Sequence, residues 1–229
     1  MKTTYVQKEI KWVIPSLIRS NLKSFFFTIL LFCCISGLFA QDLPNEMWHP
    51  GTIVLENGDT LRGSLQYDFK TNLVQLAVDK KLKTFSSQNI LFLSFHCQYF
   101  KRYRYVYSIP YRLKGSMNVP IFFEILAEGR LTLMAREYVV IESMNRFGSP
   151  MYRPMHSNFS REILTYDYYF LTDNGEITLY SEKKRDLLAF FGRHEDEVAK
   201  YMRRAKLKAD RQQDLVKIVN YYNELVQTD

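Results

Sequence analysis

The sequence predicts an α+β chain: an antiparallel β-rich domain, sandwich or barrel-like, followed by C-terminal helices. Three observations carry that prediction. From Pro50 to Tyr180 the chain reads as short runs rich in β-branched and aromatic residues, separated by turn signals. From about Lys183 to Val226 the apolar period lengthens to that of a helix. Several of the strand-like runs, PIFFEIL above all, are apolar on both faces, as in a sandwich or a sheet covered by helices.

Taken in order, the first element is the hairpin in IVLENGDTLRGSLQY. Asn57-Gly58 offers the two positive-φ positions of a two-residue turn, which would set Glu56 against Asp59 and Val54 against Leu61. Strands are then expected in LVQLAVD, from Asn89 to His96, and in YRYVYSI, VPIFFEILAEG and RLTLMARE. The stretch from Ser143 to Ser160 lacks a steady period and reads as the one long loop. A second hairpin follows in YYFLTDNGEITLY, where a two-residue turn at Asn174-Gly175 would gather Phe170, Ile177 and Leu179 on one face. An acid beside each Asn-Gly is too few oxygen ligands for a calcium loop, so both are read as plain turns.

Three helices complete the chain. KRDLLAFFGRH groups Leu187, Leu188, Phe190 and Phe191. EDEVAKYMRRAKLK begins with acids and ends with bases, in keeping with the helix dipole. In the last, Asp210 and Gln213 resemble a capping box, and Leu215, Ile218, Val219, Tyr222 and Val226 form an apolar face. Lys200, Arg203, Arg204, Lys206, Lys208 and Arg211 read as a solvated face near helix ends rather than an anion site.

Residues 1–40 read as an export signal. Lys2, Lys8, Lys11, Arg19 and Lys23 precede an apolar run from Phe25 to Ala40, 16 residues broken by Ser36 and Gly37. A spanning helix needs about 20 apolar residues, and Ala40-Gln41 supplies a small-residue exit. Cys33 follows Phe32, where a lipoprotein site would need a small residue. The expected organisation is therefore a signal peptide over 1–40, a β-rich domain over 41–182 and a helical segment over 183–229 packed on it, with no transmembrane segment left after cleavage.

That division alters the charge argument. The whole chain has a net charge of +7, from 31 Lys and Arg against 24 Asp and Glu, but the leader holds five of those bases and one acid. The remaining 26 bases and 23 acids give only +3, which removes the electrostatic support for a nucleic-acid partner. Past the leader, Cys97 is the one cysteine, so neither an intrachain disulfide nor a cysteine metal cluster is expected, and its apolar surroundings predict a buried, inert thiol.

The order GTIVLENGDTLRGSLQY, KTFSSQNILFLSF, FFEILAEGRLTLM, a Tyr-rich hairpin, KKRDLLAFF and a closing YYN resembles a family of exported proteins from Bacteroidota-type bacteria, whose leaders end in Ala-Gln. The resemblance implies export, to the periplasm, the outer membrane or the medium. Its motifs are turn glycines and apolar strands, and it brings no activity and no functional residue with it.

Catalytic signatures are missing from the sequence. His49, His96, His156 and His194 include no pair at helical metal-site spacing, and there is no nucleophile elbow and no phosphate-cradling glycine loop. Glu124, Glu128, Glu137 and Glu142 could supply two glycosidase carboxylates, but acids at strand ends are ordinary surface residues. No catalytic residue, metal ligand or cofactor is therefore assigned. What stands out is FKRYRYVYSIPYR: in a strand, Tyr103, Tyr105 and Tyr107 share one face and Arg102 and Arg104 the other. Such a row packs a core edge, lines a pocket or stacks on sugar or peptide, which makes these three tyrosines the candidate binding residues.

Three function classes compete. The first is a non-catalytic binding or structural module of the cell envelope, with a glycan, peptide or protein partner. The second, a small-ligand or lipid carrier, would show a closed barrel around an apolar cavity. The third, an exported hydrolase, would show buried carboxylates within about 5 to 10 Å of each other.

Overall fold

Among the described residues, ten strands are followed by three helices. The computed structural model describes residues 46–112, 117–143 and 160–228; the leader, His156 and nearly all of the expected loop after Ser143 lie outside them. The strands are β1 (His49–Leu55), β2 (Thr60–Asp68), β3 (Leu73–Val78), β4 (Lys81–Ser86), β5 (Ile90–Cys97), β6 (Arg102–Tyr111), β7 (Val119–Ala127), β8 (Leu131–Ser143), β9 (Ser160–Thr172) and β10 (Ile177–Leu179). They form one antiparallel sheet in the order β10-β9-β8-β7-β6-β5-β1-β2-β3-β4. The helices are α1 (Lys184–Ala189), α2 (Glu195–Arg204) and α3 (Gln212–Thr228), with a 3-10 turn at Gly192–His194. The fold is thus α+β, β-rich with C-terminal helices, as the periodicity predicts. Among the described residues no helix is long and apolar enough to cross a membrane.

Both Asn-Gly hairpins are one residue out of the expected register. Val54 pairs with Thr60 and Ile53 with Leu61, so the loop is the three residues 56–58. Ile177 pairs with Leu171 and Leu179 with Tyr169, so the second loop is 173–175. The reason is local. Gly58 and Gly175 have positive φ, whereas Asn57 and Asn174 do not; their side-chain oxygens instead accept the backbone N–H of Asp59 and Glu176, each at 3.1 Å. An Asx turn followed by a left-handed glycine makes a three-residue loop with a bulge. The slip exchanges faces: Phe170 packs toward the helices, while Ile177 joins Tyr169 and Met134 on the opposite side. The two-residue turn with both residues at positive φ falls at Asp79-Lys80, between β3 and β4. Its dipeptide carries no glycine to announce it. The edge strand β4 that follows exposes Lys81 and Lys83, charges that discourage pairing with another chain.

One face of the sheet is covered twice. Toward β10 it carries Leu131, Leu133, Ala135 and Phe170, packed against Leu187, Phe191, Val198, Met202, Leu215, Ile218 and Val219 of the helical segment. Toward β4 it carries Ile53, Leu65, Val74, Leu76, Leu93, Phe95, Val106 and Phe122. Val139 of β8 and Leu164 of β9 pack against that second cluster, so the sheet curls until distant strands meet across its inner face. An ion pair at 3.1 Å between Lys70, after β2, and Glu162 of β9 spans the same approach.

Strand β7 carries an irregularity in its pairing. Its first half pairs with β6, from Val119–Tyr111 to Glu124–Val106, and its second half pairs with β8 from Glu124–Ala135 onward, with a register shift between Ile125 and Ala127. Glu124 is the residue where β7 changes partner, and bulges of this kind bend a strand and raise its twist. This is also why PIFFEIL is apolar on both faces. Phe122 faces the inner cluster, and Ile121 and Phe123 are buried on the outer side with Met134 and Tyr169.

The capping box expected at Asp210 and Gln213 is not formed. The helix begins at Gln212, and the Arg211 carbonyl accepts the N–H groups of Asp214 and Leu215 at 3.0 and 2.8 Å. Asp214, in the first turn, accepts the Lys208 N–H at 3.1 Å. The expected apolar face is present, with Leu215, Ile218 and Val219 fully buried.

That face also buries a polar residue, Asn223. Its amide oxygen accepts the Leu131 N–H at 3.0 Å, and its amide nitrogen donates to the Leu131 carbonyl at 2.9 Å and to the Glu128 carbonyl at 3.4 Å. A helical side chain thus satisfies both backbone groups of the first residue of β8. A Cβ on Gly129 would collide with the Asn223 amide nitrogen. Gly129→Ala should therefore destabilise the fold by about the 1–3 kcal/mol of a buried polar group left unsatisfied. In an Asn223→Ala background the same change should cost clearly less, because the obstructing amide is gone. A double-mutant cycle in urea measures the difference.

Candidate binding face

Strand β6 sorts its side chains by sign and chemistry. Tyr103, Tyr105 and Tyr107 point outward and are 65%, 50% and 39% exposed, whereas Arg104 and Val106 between them are buried. The alternation follows from the two-residue period of a strand, so the tyrosines expected to share a face do share it. None of the three belongs to the buried clusters. On the neighbouring strand Phe92 lies opposite Tyr107, Ser94 opposite Tyr105 and His96 opposite Tyr103. Phe92 stacks on Tyr107 with ring centroids 5.3 Å apart, and His96 meets Tyr103 edge-on at 5.2 Å. The result is a two-strand aromatic strip in the middle of the sheet, on the face the helices leave uncovered.

The strip opens into a pocket. Where β7 parts from β6 beyond Glu124, a surface pocket of about 320 Å³ lies between them, lined by Tyr105, Tyr107, Ile125, Leu126, Ala127 and Glu128. The bulge at Ile125–Ala127 that makes the corner also shapes this hollow.

Beneath the strip, on the inner face, lies a buried ionic cluster. One terminal nitrogen of Arg104, Nη2, contacts Glu124 Oε2 and Glu137 Oε2, each at 2.7 Å. Arg102 Nη1 reaches Glu124 Oε1 at 2.5 Å. The Arg104 guanidinium also lies over the rings of Phe95 and Phe100, 5.4 and 5.5 Å from their centroids. Tyr166 of β9 donates to Glu137 Oε1 at 3.3 Å. Four strands are therefore tied at the point where β7 changes partner.

The charges in this cluster are balanced, two guanidiniums against two carboxylates, and burial and pairing oppose each other in it. Burial works against the charge of Arg104, but Glu124 and Glu137 outweigh it and hold its pKa well above the ordinary value. Burial pushes the Glu137 carboxyl up from its ordinary 4.5, and Arg104 offsets that only in part. Burial, reinforced by Glu137, also raises the phenols of Tyr67 and Tyr166, so both stay protonated.

Glu124 and Glu137 thus lie within the spacing of a carboxylate pair, since both oxygens touch one nitrogen at 2.7 Å. From their place at strand ends these acids are expected at the surface, and burial overturns that for both, each 3% exposed or less. The pair is nevertheless ill suited to glycoside cleavage, because Arg104 occupies the space where a glycosidic oxygen and a water would have to sit.

The remaining candidates stay apart from this face. Cys97 is buried with its sulfur 4.0 Å from His49 Nε2, and His49 is itself buried and stacked on Phe95. Lys200, Arg203, Arg204, Lys206, Lys208 and Arg211 are exposed around the ends of α2 and α3. No group of three or more His, Cys, Asp or Glu side chains placed to hold a metal ion occurs among the described residues. Comparison with protein-family models, with curated proteins and with solved structures finds no match to this chain.

Proposed function

We propose that this chain is an exported, non-catalytic binding module of the cell envelope that holds a glycan, peptide or protein partner on the Tyr103–Tyr105–Tyr107 face. The observation that carries this reading is the exposed aromatic strip beside an open pocket, on a sheet whose opposite face carries the two main core clusters. Rigid tyrosines offer large amphipathic contact area, and an exposed aromatic row of this kind marks a surface that meets a partner. Carriage of a lipid inside a closed barrel is the weaker reading, since among the described residues the sheet ends at β4 and β10 without pairing them to each other, and the pocket opens at the surface. Export rests on the leader and on the resemblance to exported Bacteroidota-type proteins.

Two expected outcomes follow from this reading. Tyr103→Ala, Tyr105→Ala and Tyr107→Ala should each leave the melting temperature within a few degrees of the parent, because each ring is more than a third exposed. Each should also weaken co-sedimentation with envelope material by about tenfold, the equivalent of ~1.4 kcal/mol. Loss of 3 kcal/mol or more of stability in all three, with sedimentation unchanged, would make the strip packing. For export, protein recovered from its host should begin at Gln41, and N-terminal mass mapping that finds residues 25–40 retained would remove the cleaved-leader reading.

A further inference from the structure

We propose that the pocket between β6 and β7 is a cation subsite, shaped for the ammonium group of a lysine-type side chain on a peptide partner. The proposal rests on the binding-face reading and specifies the chemistry of one position on it. Two of the lining residues, Tyr105 and Tyr107, are aromatic, and aromatic rings carry negative electrostatic potential over their faces. Ile125, Leu126 and Ala127 supply an apolar wall, and Glu128 supplies the one formal charge among the described lining residues. Aromatic faces, aliphatic wall and a carboxylate suit a methylene stem that ends in an ammonium group. An anionic group would meet Glu128 and the ring faces and be repelled. At about 320 Å³ the pocket is near the lower limit for a small-molecule site, which fits one side chain better than a whole metabolite.

Glu128 is available for this role. The nearest base in sequence, Arg130, is paired with Asp173 at 3.2 Å, and among the described residues Glu128 forms no ion pair. Its backbone is held in place, because the Glu128 carbonyl and Leu131 are the groups that Asn223 binds. A turn held in this way, lining the same pocket as two tyrosines of a central strand, favours a pre-organised site.

The test titrates the full chain with the peptide acetyl-Gly-Lys-Gly-amide and with the same peptide acetylated on the lysine nitrogen, following the Tyr105 and Tyr107 ring resonances. The lysyl peptide should shift both sets of resonances, and the acetylated one should bind about fivefold more weakly or worse, the scale of a cation–π contact at a partly exposed site. Glu128→Gln should bring the lysyl peptide down to the level of the acetylated one without changing the melting temperature, and added salt should weaken the parent's binding. Equal binding of the two peptides, or an unaffected Glu128→Gln variant, overturns the cation subsite. A chain that still sediments with envelope material through Tyr103 but ignores the lysyl peptide overturns the subsite alone and leaves the binding face standing.

Discussion

Glu124→Ala should cost about 3–5 kcal/mol of folding stability, the loss typical of breaking a buried ion pair by removing one partner. Glu124 is 2% exposed and touches both Arg104 and Arg102 at the residue where β7 passes from pairing with β6 to pairing with β8. Truncation leaves Arg104 buried with Glu137 as its only carboxylate, and removes the side chain that fills the corner. Arg104→Ala should be as severe, because it leaves two carboxylates facing each other. Replacing Arg104, Glu124 and Glu137 together with apolar residues of matched volume should be far milder, since the cost of desolvating these three charges offsets much of their attraction. Urea midpoints of the single and triple variants separate these outcomes. The cluster also sets a pH dependence. The folded state raises the Glu137 pKa above its ordinary 4.5, so it binds that proton more tightly than the unfolded chain does. Stability from this group is therefore greatest in acid and falls as pH rises from about 4.5 through the raised folded value. Glu137→Gln removes that component, and the parent should gain on the variant as pH is lowered toward 4.5.

Removing α3 should have a comparable or larger effect. Leu215, Ile218 and Val219 are fully buried against the sheet and the other helices, and each contributes roughly 1.5–3 kcal/mol through burial. Against a net stability of about 5–15 kcal/mol, their combined loss is decisive. The same truncation removes Asn223, leaving the Leu131 N–H and carbonyl without their partners. A chain ending at Lys208 should be aggregated or protease-sensitive, and a soluble fragment with a cooperative melt would show that the sheet stands without α3.

What the sequence made legible was periodic, and what it hid was coupled across strands. The strand and helix regions, and the separation of tyrosines from arginines across β6, follow from periods of two and of three to four residues, whereas which of the two faces is buried does not. The turns misled because Asn-Gly serves two geometries, and the choice depends on whether the asparagine turns its backbone or its side chain into the loop. The pairing of Arg104 with Glu124 and Glu137 spans 20 and 33 positions, and nothing in RYRYVYS or FFEIL reveals that β7 changes partner at the glutamate. A charged residue inside PIFFEIL was the one available signal, since a strand buried on both faces holds a charge only if that charge is paired. Asn223 carried a similar signal as an amide on the apolar side of α3, but its partner, a turn 92 positions earlier, is visible only in three dimensions.

The most direct test of the binding face is tyrosine footprinting by mass spectrometry, with and without envelope material. In the free chain Tyr103, Tyr105 and Tyr107 should react readily, while Tyr67, Tyr169 and Tyr180, all buried, should not. On addition of envelope material the three exposed tyrosines should become protected, with the buried set unchanged. Equal labelling of Tyr103, Tyr105 and Tyr107 in both conditions would contradict the proposal that this face holds a partner.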